Sequence, residues 1–239
     1  DLIYANKYYA GGTLSIAEGK TFIDEAGQTY SGTIAQADGA YPIDGKTLYP
    51  YSENAVPYLD ENGQQRYCVA YTTLTGTETE LGTAGQETWY VVDSDVSFTD
   101  LTINGDIHLI LVDGKTMNLN HEQGFVTLWG QANLTIYGQT NGTGTLSSLG
   151  LIRRMNITIN GGIVNVKGDG FFKGDNFIPA IWCVGDMVIN GGKVYAQGDM
   201  GIVVASMGAK SDDMTTYNFT LNGGQVTDIG MSTDIGIIA

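Results

Sequence analysis

Basic side chains are scarce in this chain of 239 residues. Its 11 lysines and arginines stand against 26 aspartates and glutamates, which gives a net charge of −15. Binding to nucleic acid or to an anionic membrane surface depends on arrayed Lys and Arg, and the one basic cluster is the pair Arg153-Arg154. The composition therefore argues against both partners and favours either simple solubility or divalent-cation binding.

Cysteine and long hydrophobic runs are also nearly absent. Cys68 and Cys183 lie too far apart in sequence to form a metal knuckle or a redox motif. They can pair only if the N-terminal segment folds back onto the array formed by the rest of the chain. Two free, buried thiols are the alternative, and we expect them equally. The chain begins at Asp1 and shows no signal peptide or hydrophobic span. We therefore expect a trimmed or mature form that does not insert into a membrane.

Proline is rare, with 4 copies, whereas glycine is abundant, with 34. This balance is typical of a chain with many tight turns at positive φ. No apolar pattern of helical period extends beyond a few residues. Short β-branched runs alternate instead with turn residues, which predicts an all-β protein.

A short phrase, an aliphatic residue followed by Asn-Gly-Gly and a new strand, occurs three times, at 159–164, 189–194 and 221–226. Weaker relatives end at Gly105 and Gly138. Repetition at this period marks a solenoid or an array. One structural column is predicted to contain the aliphatic residues Ile103, Ile136, Ile159, Ile189 and Leu221.

From Trp89 onward the repeat divides into three short strands, with a corner too short for a helix. Three short strands per repeat, with such a short corner, predict a parallel β-helix of about five coils. The corner Asn side chains are then expected to stack about 4.8 Å apart and to hydrogen-bond along their column. A meander of Asn-Gly hairpins is the competing fold. A return of the motif after three strands rather than two favours the β-helix.

The chain changes character near residue 70. Residues 1–71 hold 10 of the 14 tyrosines and three of the four prolines. We predict an irregular N-terminal β cap or small β module over 1–70 and the parallel β-helix over 71–239. A Gly-Lys-Thr phrase begins at 19, 45 and 114 and predicts turn-then-strand units. Glu61-Asn62-Gly63 is predicted to be a tight turn.

The run from Tyr67-Cys68 through 88–92 and 101–111, followed by the Asn-Gly-Gly repeats, resembles repetitive bacterial cell-surface proteins. That group includes right-handed parallel β-helix domains of the carbohydrate-binding type, and the resemblance covers roughly 67–239. It implies a secreted or surface-anchored location and a polysaccharide or host or cell-wall glycan as partner, or an adhesive role. It carries over no catalytic residue.

An enzyme built on a β-helix scaffold needs a recognisable set of catalytic side chains. Lyases use calcium held by several carboxylates with a nearby Arg or Lys, and hydrolases use two or three carboxylates about 5–9.5 Å apart. No compact Asp cluster occurs on neighbouring predicted strands. We therefore expect a non-enzymatic binding module without a cofactor, with a lyase or hydrolase as the alternative and a structural stalk as a further one. Asp169 and Asp199, 30 residues apart in equivalent turns, are weak calcium candidates or simply solvated aspartates.

An insertion after one strand carries Phe171, Phe172 and Lys173, and inserted loops of repeat proteins often form the binding face. The alternative is a loop folded over the flank of the array. Arg153 and Arg154 are the other candidate ligand-binding residues, because an outward Arg beside aromatic surface can clamp a sugar carboxylate. An ion pair with an aspartate of an adjoining coil is the competing interpretation.

Two further expectations concern packing. Trp129, Ile152 and Trp182 are predicted to share one column, either as an interior ladder or as an outward aromatic strip. His108 is predicted to face away from its apolar neighbours as an exposed strand residue. The last segment, 219–239, is predicted to be an open edge capable of end-to-end self-association, because an uncovered terminal coil is adhesive.

Overall fold

The computed structural model describes most of the chain after residue 54 and short strands before it. The described residues are 2–4, 12–15, 21–23, 29–30, 33–36, 41–43, 46–48, 55–68, 70–99, 101–120, 128–129, 132–149, 152–153, 155–168, 179–206, 215–230 and 237–238. They form strands and turns, and none of them forms a helix. No helix able to cross a membrane occurs in this part of the chain.

Two compact units make up the chain, one of Asp1–Pro57 with Arg66–Val69 and the other of Tyr58–Gln65 with Ala70–Ala239. The strands of the first unit before residue 50 are β1 (Leu2–Tyr4), β2 (Gly12–Ser15), β3 (Thr21–Ile23), β4 (Thr29–Tyr30), β5 (Thr33–Gln36), β6 (Tyr41–Ile43) and β7 (Lys46–Leu48). They pair as β1-β3-β4, β2-β5 and β6-β7. The division at residue 70 remains a prediction about separately folding domains.

Two strands, β8 (Val56–Leu59) and β9 (Gln65–Cys68), precede and follow a tight turn. In this turn the Asp60 carboxylate accepts hydrogen bonds from the amides of Asn62 at 3.0 Å and Gln64 at 2.8 Å. Gly63 adopts a φ of 71°, a region that favours glycine. The predicted turn at Glu61-Asn62-Gly63 is therefore confirmed.

The second unit contains three long sheets. The first sheet is β10 (Thr72–Thr73), β12 (Glu87–Val92), β15 (Gly105–Leu111), β18 (Ala132–Tyr137), β21 (Met155–Ile159), β24 (Met187–Ile189) and β28 (Phe219–Leu221). The second sheet is β13 (Val96–Phe98), β16 (Thr116–Leu119), β19 (Thr145–Ser148), β22 (Ile163–Lys167), β25 (Lys193–Gly198) and β29 (Gln225–Gly230). The third sheet is β11 (Glu80–Leu81), β14 (Leu101–Ile103), β17 (Leu128–Trp129), β20 (Ile152–Arg153), β23 (Pro179–Cys183), β26 (Met200–Ser206), β27 (Thr215–Thr216) and β30 (Ile237–Ile238).

From β12 to β26 the chain visits the first, second and third sheets in strict rotation. From β12 to β23, each strand pairs in parallel with the strand three places further along the chain. The strands β24, β25 and β26 pair with the strand four places further, because β27 intervenes. Among the described strands of these three sheets, β27 is the one that pairs antiparallel, against β26. The predicted all-β class and its parallel pairing are thus confirmed. Strands begin at Thr21, Lys46 and Thr116, as the Gly-Lys-Thr phrases predict. A turn is described before Thr116, whereas the residues directly before Thr21 and Lys46 lie outside the described residues.

Alternation along each strand builds the core. In β16, β19, β22 and β25 every second residue is buried, as expected where successive side chains point to opposite faces. Buried side chains from all three sheets form one apolar cluster. Each aliphatic side chain that this cluster removes from water contributes roughly 1.5–3 kcal/mol. The predicted column is confirmed over Ile136, Ile159, Ile189 and Leu221.

The first member of that column was predicted wrongly. Ile136 pairs with Leu109 of β15 rather than with Ile103, which lies in the third sheet. The phrase Asn104-Gly105 resembles the later corners but joins the third sheet to the first. Gly105 adopts a φ of 74° there, and its following strand is the long β15.

The Asn-Gly-Gly corners stack upon one another. The Asn190 amide nitrogen donates to Asn160 Oδ1, and the Asn222 amide nitrogen donates to Asn190 Oδ1, each at 2.8 Å. The predicted asparagine ladder is therefore confirmed. The second glycine of each corner has positive φ, and a Cβ added to Gly192 would lie 2.5 Å from the carbonyl oxygen of Gly162. No other residue type fits this close approach without moving the backbone.

The predicted tryptophan column was shifted by one residue. Leu128 pairs with Ile152, and Ile152 pairs with Ile181, so Trp182 lies opposite Arg153 instead of following Ile152. Ile181 is buried, whereas Trp182 is half-buried on the other side of the strand. Its indole nitrogen donates to the carbonyl oxygen of Ala205 at 2.7 Å. The interior-ladder interpretation is thus wrong for Trp182.

The last strands of the first and second sheets are the most exposed. Leu221 is 52% exposed, although Ile189, in the same column, is fully buried. Asp228 continues a column that holds Val166 and Ala196 in the preceding strands. Its carboxylate is buried against Gly201. A charged residue directed inward at a terminal strand is a known protection of sheet edges.

Removing the ladder side chain at Asn190 is expected to destabilise the second unit. Asn190 takes part in two ladder hydrogen bonds and Asn222 in one. At about 1 kcal/mol per hydrogen bond, N190A is expected to cost about twice as much unfolding free energy as N222A. Urea denaturation followed by circular dichroism measures both. Equal losses would show that the ladder contributes little.

Asp228→Asn is expected to stabilise the protein at alkaline pH. Burial raises the pKa of Asp228 to about 6, and the Ile202 amide opposes this only in part. The folded state then binds more protons than the unfolded one between about pH 4 and pH 6, so stability falls as pH rises through this window. At pH 8 the variant is expected to gain on the order of 1 kcal/mol of unfolding free energy, a figure reduced to allow for the partial exposure of Asp228. At pH 4 no gain is expected.

Asp113→Asn is the matched control for thermal melts at both pH values. Burial alone would raise the pKa of Asp113, but hydrogen bonds from Thr143 and Asn141 outweigh it and lower the pKa. This variant is therefore expected to lose stability at pH 8. A gain in both variants would refute the assignment to Asp228.

Candidate functional site

The outer face of the second sheet presents a regular array of polar side chains. Its central column, one residue from each strand and in register throughout, is Ser97, Asn118, Ser147, Asn165, Tyr195 and Thr227. In β13, β16, β19, β22 and β25 each of these residues lies between two buried residues, so the inward pattern that builds the core also fixes the outward direction of this column. In β29 the two neighbours of Thr227 are half-buried. The column therefore lies on a rigid surface.

We call the outward residues of β22 and β25 the lysine face. They are Ile163, Asn165, Lys167, Lys193, Tyr195 and Gln197. Within the six strands of the second sheet, no outward position carries an acidic residue. This is notable in a chain with a net charge of −15, and it leaves a locally basic surface.

An open groove of about 350 Å³ lies over this surface. Lys167 and Lys193 line it together with Tyr195, and Gln225 and Thr227 of β29 extend it. Both lysines are exposed, and the Lys167 ammonium lies 5.7 Å from the centre of the Tyr195 ring. This distance is within the range of a cation–π contact.

Two polar groups complete the groove. The Tyr195 hydroxyl donates to Gln197 Oε1 at 2.7 Å, which holds the ring in place. Asn165 contributes a buried side-chain oxygen that lacks a hydrogen-bond partner. A buried acceptor without a partner costs free energy, so a ligand hydroxyl that reaches Asn165 gains a favourable contact.

A second group, the aromatic cluster, lies on the outer face of the first sheet. It consists of Tyr58, Trp89, His108 and Tyr137. The Trp89 and His108 rings stack with centres 4.3 Å apart, and Trp89 also stacks on Tyr137 at 5.2 Å. Tyr58 contacts Trp89 at 5.2 Å and the edge of Tyr137 at 4.8 Å. The cluster thus joins the turn-bearing segment 58–65 to the first sheet.

Hydrogen bonds run through this cluster. His108 Nδ1 lies 2.8 Å from the Tyr137 hydroxyl, and His108 Nε2 lies 3.4 Å from Glu87 Oε1, which also accepts from the Trp89 indole at 2.9 Å. A carboxylate beside Nε2 favours the tautomer with its proton there, which leaves Nδ1 to accept from Tyr137. Burial lowers the pKa of His108, opposed by Glu87 and Asp106. His108 is therefore neutral at physiological pH.

The prediction for His108 was right about its direction and wrong about its exposure. The side chain alternates with buried Ile107 and Leu109, but only 20% of it is exposed. Trp89, Tyr58 and Tyr137 cover it. Trp89 pairs with His108 from the neighbouring strand of the first sheet, whereas Tyr58 comes from outside the repeat. No sequence signal pointed to the cluster.

The sequence-predicted site residues fall mostly elsewhere. Phe171, Phe172, Lys173, Arg154 and Asp169 lie outside the described residues. Their proposed roles stay predictions.

Arg153 ends β20 directly opposite Trp182. The backbone register therefore brings this predicted ligand-binding residue next to a tryptophan of the neighbouring strand.

Asp199 follows β25 and is half-buried. Among the described residues, no group of three or more His, Cys, Asp or Glu side chains is placed to hold a metal ion. Cys68 and Cys183 are both buried thiols outside a disulfide, and burial raises the pKa of Cys183 to about 12.

Lys167 and Lys193 were missed by the sequence interpretation, although a signal existed. Lys193 directly follows the corner Asn190-Gly191-Gly192, and its equivalent after the preceding corner is Ile163. Extending the repeat from the apolar columns to their outward neighbours places both lysines on one face.

Comparisons of this chain with protein-family models, with curated proteins and with solved structures found no match. The geometry of the lysine face and of the aromatic cluster is therefore the basis for a functional hypothesis.

Glu87→Gln is expected to lower the pKa of His108 further. The Glu87 carboxylate favours the imidazolium form, and its removal leaves burial less opposed. A titration of the His108 ring followed by NMR measures the change. Asp93→Asn, which removes a charge from outside the cluster, serves as the control and should leave the titration unchanged. An unchanged pKa in E87Q would contradict the described contact.

Proposed function

We propose that the second unit is a right-handed parallel β-helix of about five coils. The rotation of consecutive strands among three sheets supports this, as does the single apolar cluster to which all three sheets contribute. The hand follows from the general rule that connections between parallel strands of one sheet are right-handed in about 98% of cases. The N-terminal residues then form a β cap or small β module.

We further propose that the protein is a non-enzymatic, secreted or cell-surface module of bacterial origin that binds polysaccharide or mediates adhesion. The observation that carries this proposal is the lysine face, where an open groove is lined by hydroxyl, amide, ammonium and aromatic groups. Sugars present hydroxyls for the polar groups and apolar ring faces for Tyr195. The resemblance to repetitive surface proteins agrees with this role, and a host or cell-wall glycan is the natural partner.

A polysaccharide lyase or glycoside hydrolase on the same scaffold is the second candidate. The observation in its favour is the pairing of the His108 imidazole with the Tyr137 phenol at 2.8 Å, since such groups transfer protons in catalysis. Tyr137 is only 7% exposed, which limits its access to substrate. Release of an unsaturated uronate would establish the lyase.

Three further roles remain proposals. A structural stalk needs only the stacked strands. Calcium binding at Asp169 and Asp199 would add rigidity to the turns after β22 and β25. End-to-end association through 219–239 is supported by the exposure of Leu221, an apolar residue whose column is otherwise buried.

Glycan binding is expected to depend on the ring of Tyr195. On a polysaccharide array the wild-type protein should bind at least one glycan, and Y195A should bind it about fivefold more weakly, since a packed aromatic contact contributes on the order of 1 kcal/mol. Y195F keeps the ring and loses only the hydrogen bond to Gln197, so it should bind like the wild type. The absence of binding to any glycan would refute the proposed function.

A further inference from the structure

We propose that the lysine face binds a linear anionic polysaccharide, bearing carboxylate or sulfate groups, that runs across the strands of the second sheet. The inference rests on the proposed function and specifies both the class of glycan and its direction. Four features of the outer face support it.

The first feature is the spacing of the central column. Neighbouring strands lie about 4.8 Å apart, close to the length of one pyranose unit in an extended polysaccharide. The column presents one hydrogen-bonding side chain per strand, from Ser97 on β13 to Thr227 on β29. A chain lying along the column therefore meets an equivalent polar group at each sugar.

The second feature is the position of the two lysines. Lys193 lies opposite Ile163, at one edge of the face, and Lys167 lies opposite Gln197, at the other. Ile163 and Lys167 are four positions apart along β22, or about 13 Å of extended strand. A glycan over Asn165 and Tyr195 thus has an ammonium group on each side, suited to acidic substituents on both edges of the chain.

The third feature is the local sign of the charge. Asp106 lies on β15 of the first sheet and accepts a hydrogen bond from Asn133. Asp186 directly precedes β24 of the same sheet and accepts a hydrogen bond from Asn218. The outward positions of the second sheet lack acidic side chains. An anionic chain is therefore repelled over much of the protein and tolerated along the lysine face, which orients its approach.

The fourth feature is the floor of the groove. Lys167 rests above the Tyr195 ring at 5.7 Å, beside the buried oxygen of Asn165 that lacks a partner. An acidic substituent draws Lys167 toward itself, and the freed ring face then packs against a sugar. A sugar hydroxyl can donate to Asn165 once this space opens. Binding of charge and binding of the sugar ring are thereby coupled.

The test compares binding of polygalacturonate, chondroitin sulfate and neutral galactan by isothermal titration calorimetry at low and high salt. Wild-type protein should bind one or both acidic polymers more tightly than galactan, and salt should weaken this binding. The stronger of the two acidic polymers identifies carboxylate or sulfate as the preferred group. The double variant K167Q/K193Q should bind the acidic polymer about fivefold more weakly.

Lys115→Gln is the control, because it makes the same Lys-to-Gln change once, in the turn before β16 and outside the lysine face, and should leave affinity unchanged. Thermal melts of all variants verify that these surface changes preserve the fold. If galactan binds as tightly as the acidic polymers, or the double variant binds like the wild type, the anionic specificity is wrong while polysaccharide binding stands. If none of the three polymers binds and the array is also blank, the proposed function itself fails.

Chain length tests the direction. Oligogalacturonides of increasing length should gain affinity until they span the six strands of the second sheet, at about one sugar per strand. A glycan lying along a strand would instead saturate at about two or three sugars, the width of the face. Saturation at that short length would overturn the proposed direction.

Discussion

Parallel, in-register pairing between corresponding strands is the constraint on which the second unit depends. From β12 to β23, each strand pairs with the strand three places further along the chain, so each paired residue is repeated in space by its counterpart. A slip of one residue would exchange the buried and outward sets throughout a sheet. The apolar columns resist such a slip, because their side chains are almost completely buried.

The same register that fills the interior also arranges the exterior. Val164 and Val194 are inward neighbours in adjacent strands, and Asn165 and Tyr195, the next residues, are outward neighbours for the same reason. A surface of this kind is stiff because each side chain is fixed by a buried residue on either side. Binding groups placed on it lose little conformational entropy when a ligand is held.

Repetition made much of this architecture predictable. The Asn-Gly-Gly corners predicted the column from Ile136 to Leu221 and the asparagine ladder, because three near-identical phrases leave little freedom of alignment. Ile103 was misplaced because its corner phrase occurs at a different junction between sheets. Trp182 was misplaced because β17 and β20 contain two residues each, too few for alternation to determine which faces inward. The aromatic cluster could not be predicted, since segment 58–65 reaches it without any repeat.

The asparagine ladder has a direction: each amide donates to the asparagine of the preceding corner, from Asn222 to Asn190 and from Asn190 to Asn160. Each corner therefore offers the next one the same acceptor that it uses itself. A duplicated stretch of about 30 residues, inserted at a corner, would form the same ladder hydrogen bonds, extend the same apolar column and use the same glycine turn. The array can lengthen or shorten by whole repeats through gene duplication or deletion, and its reach can evolve without redesign of its core.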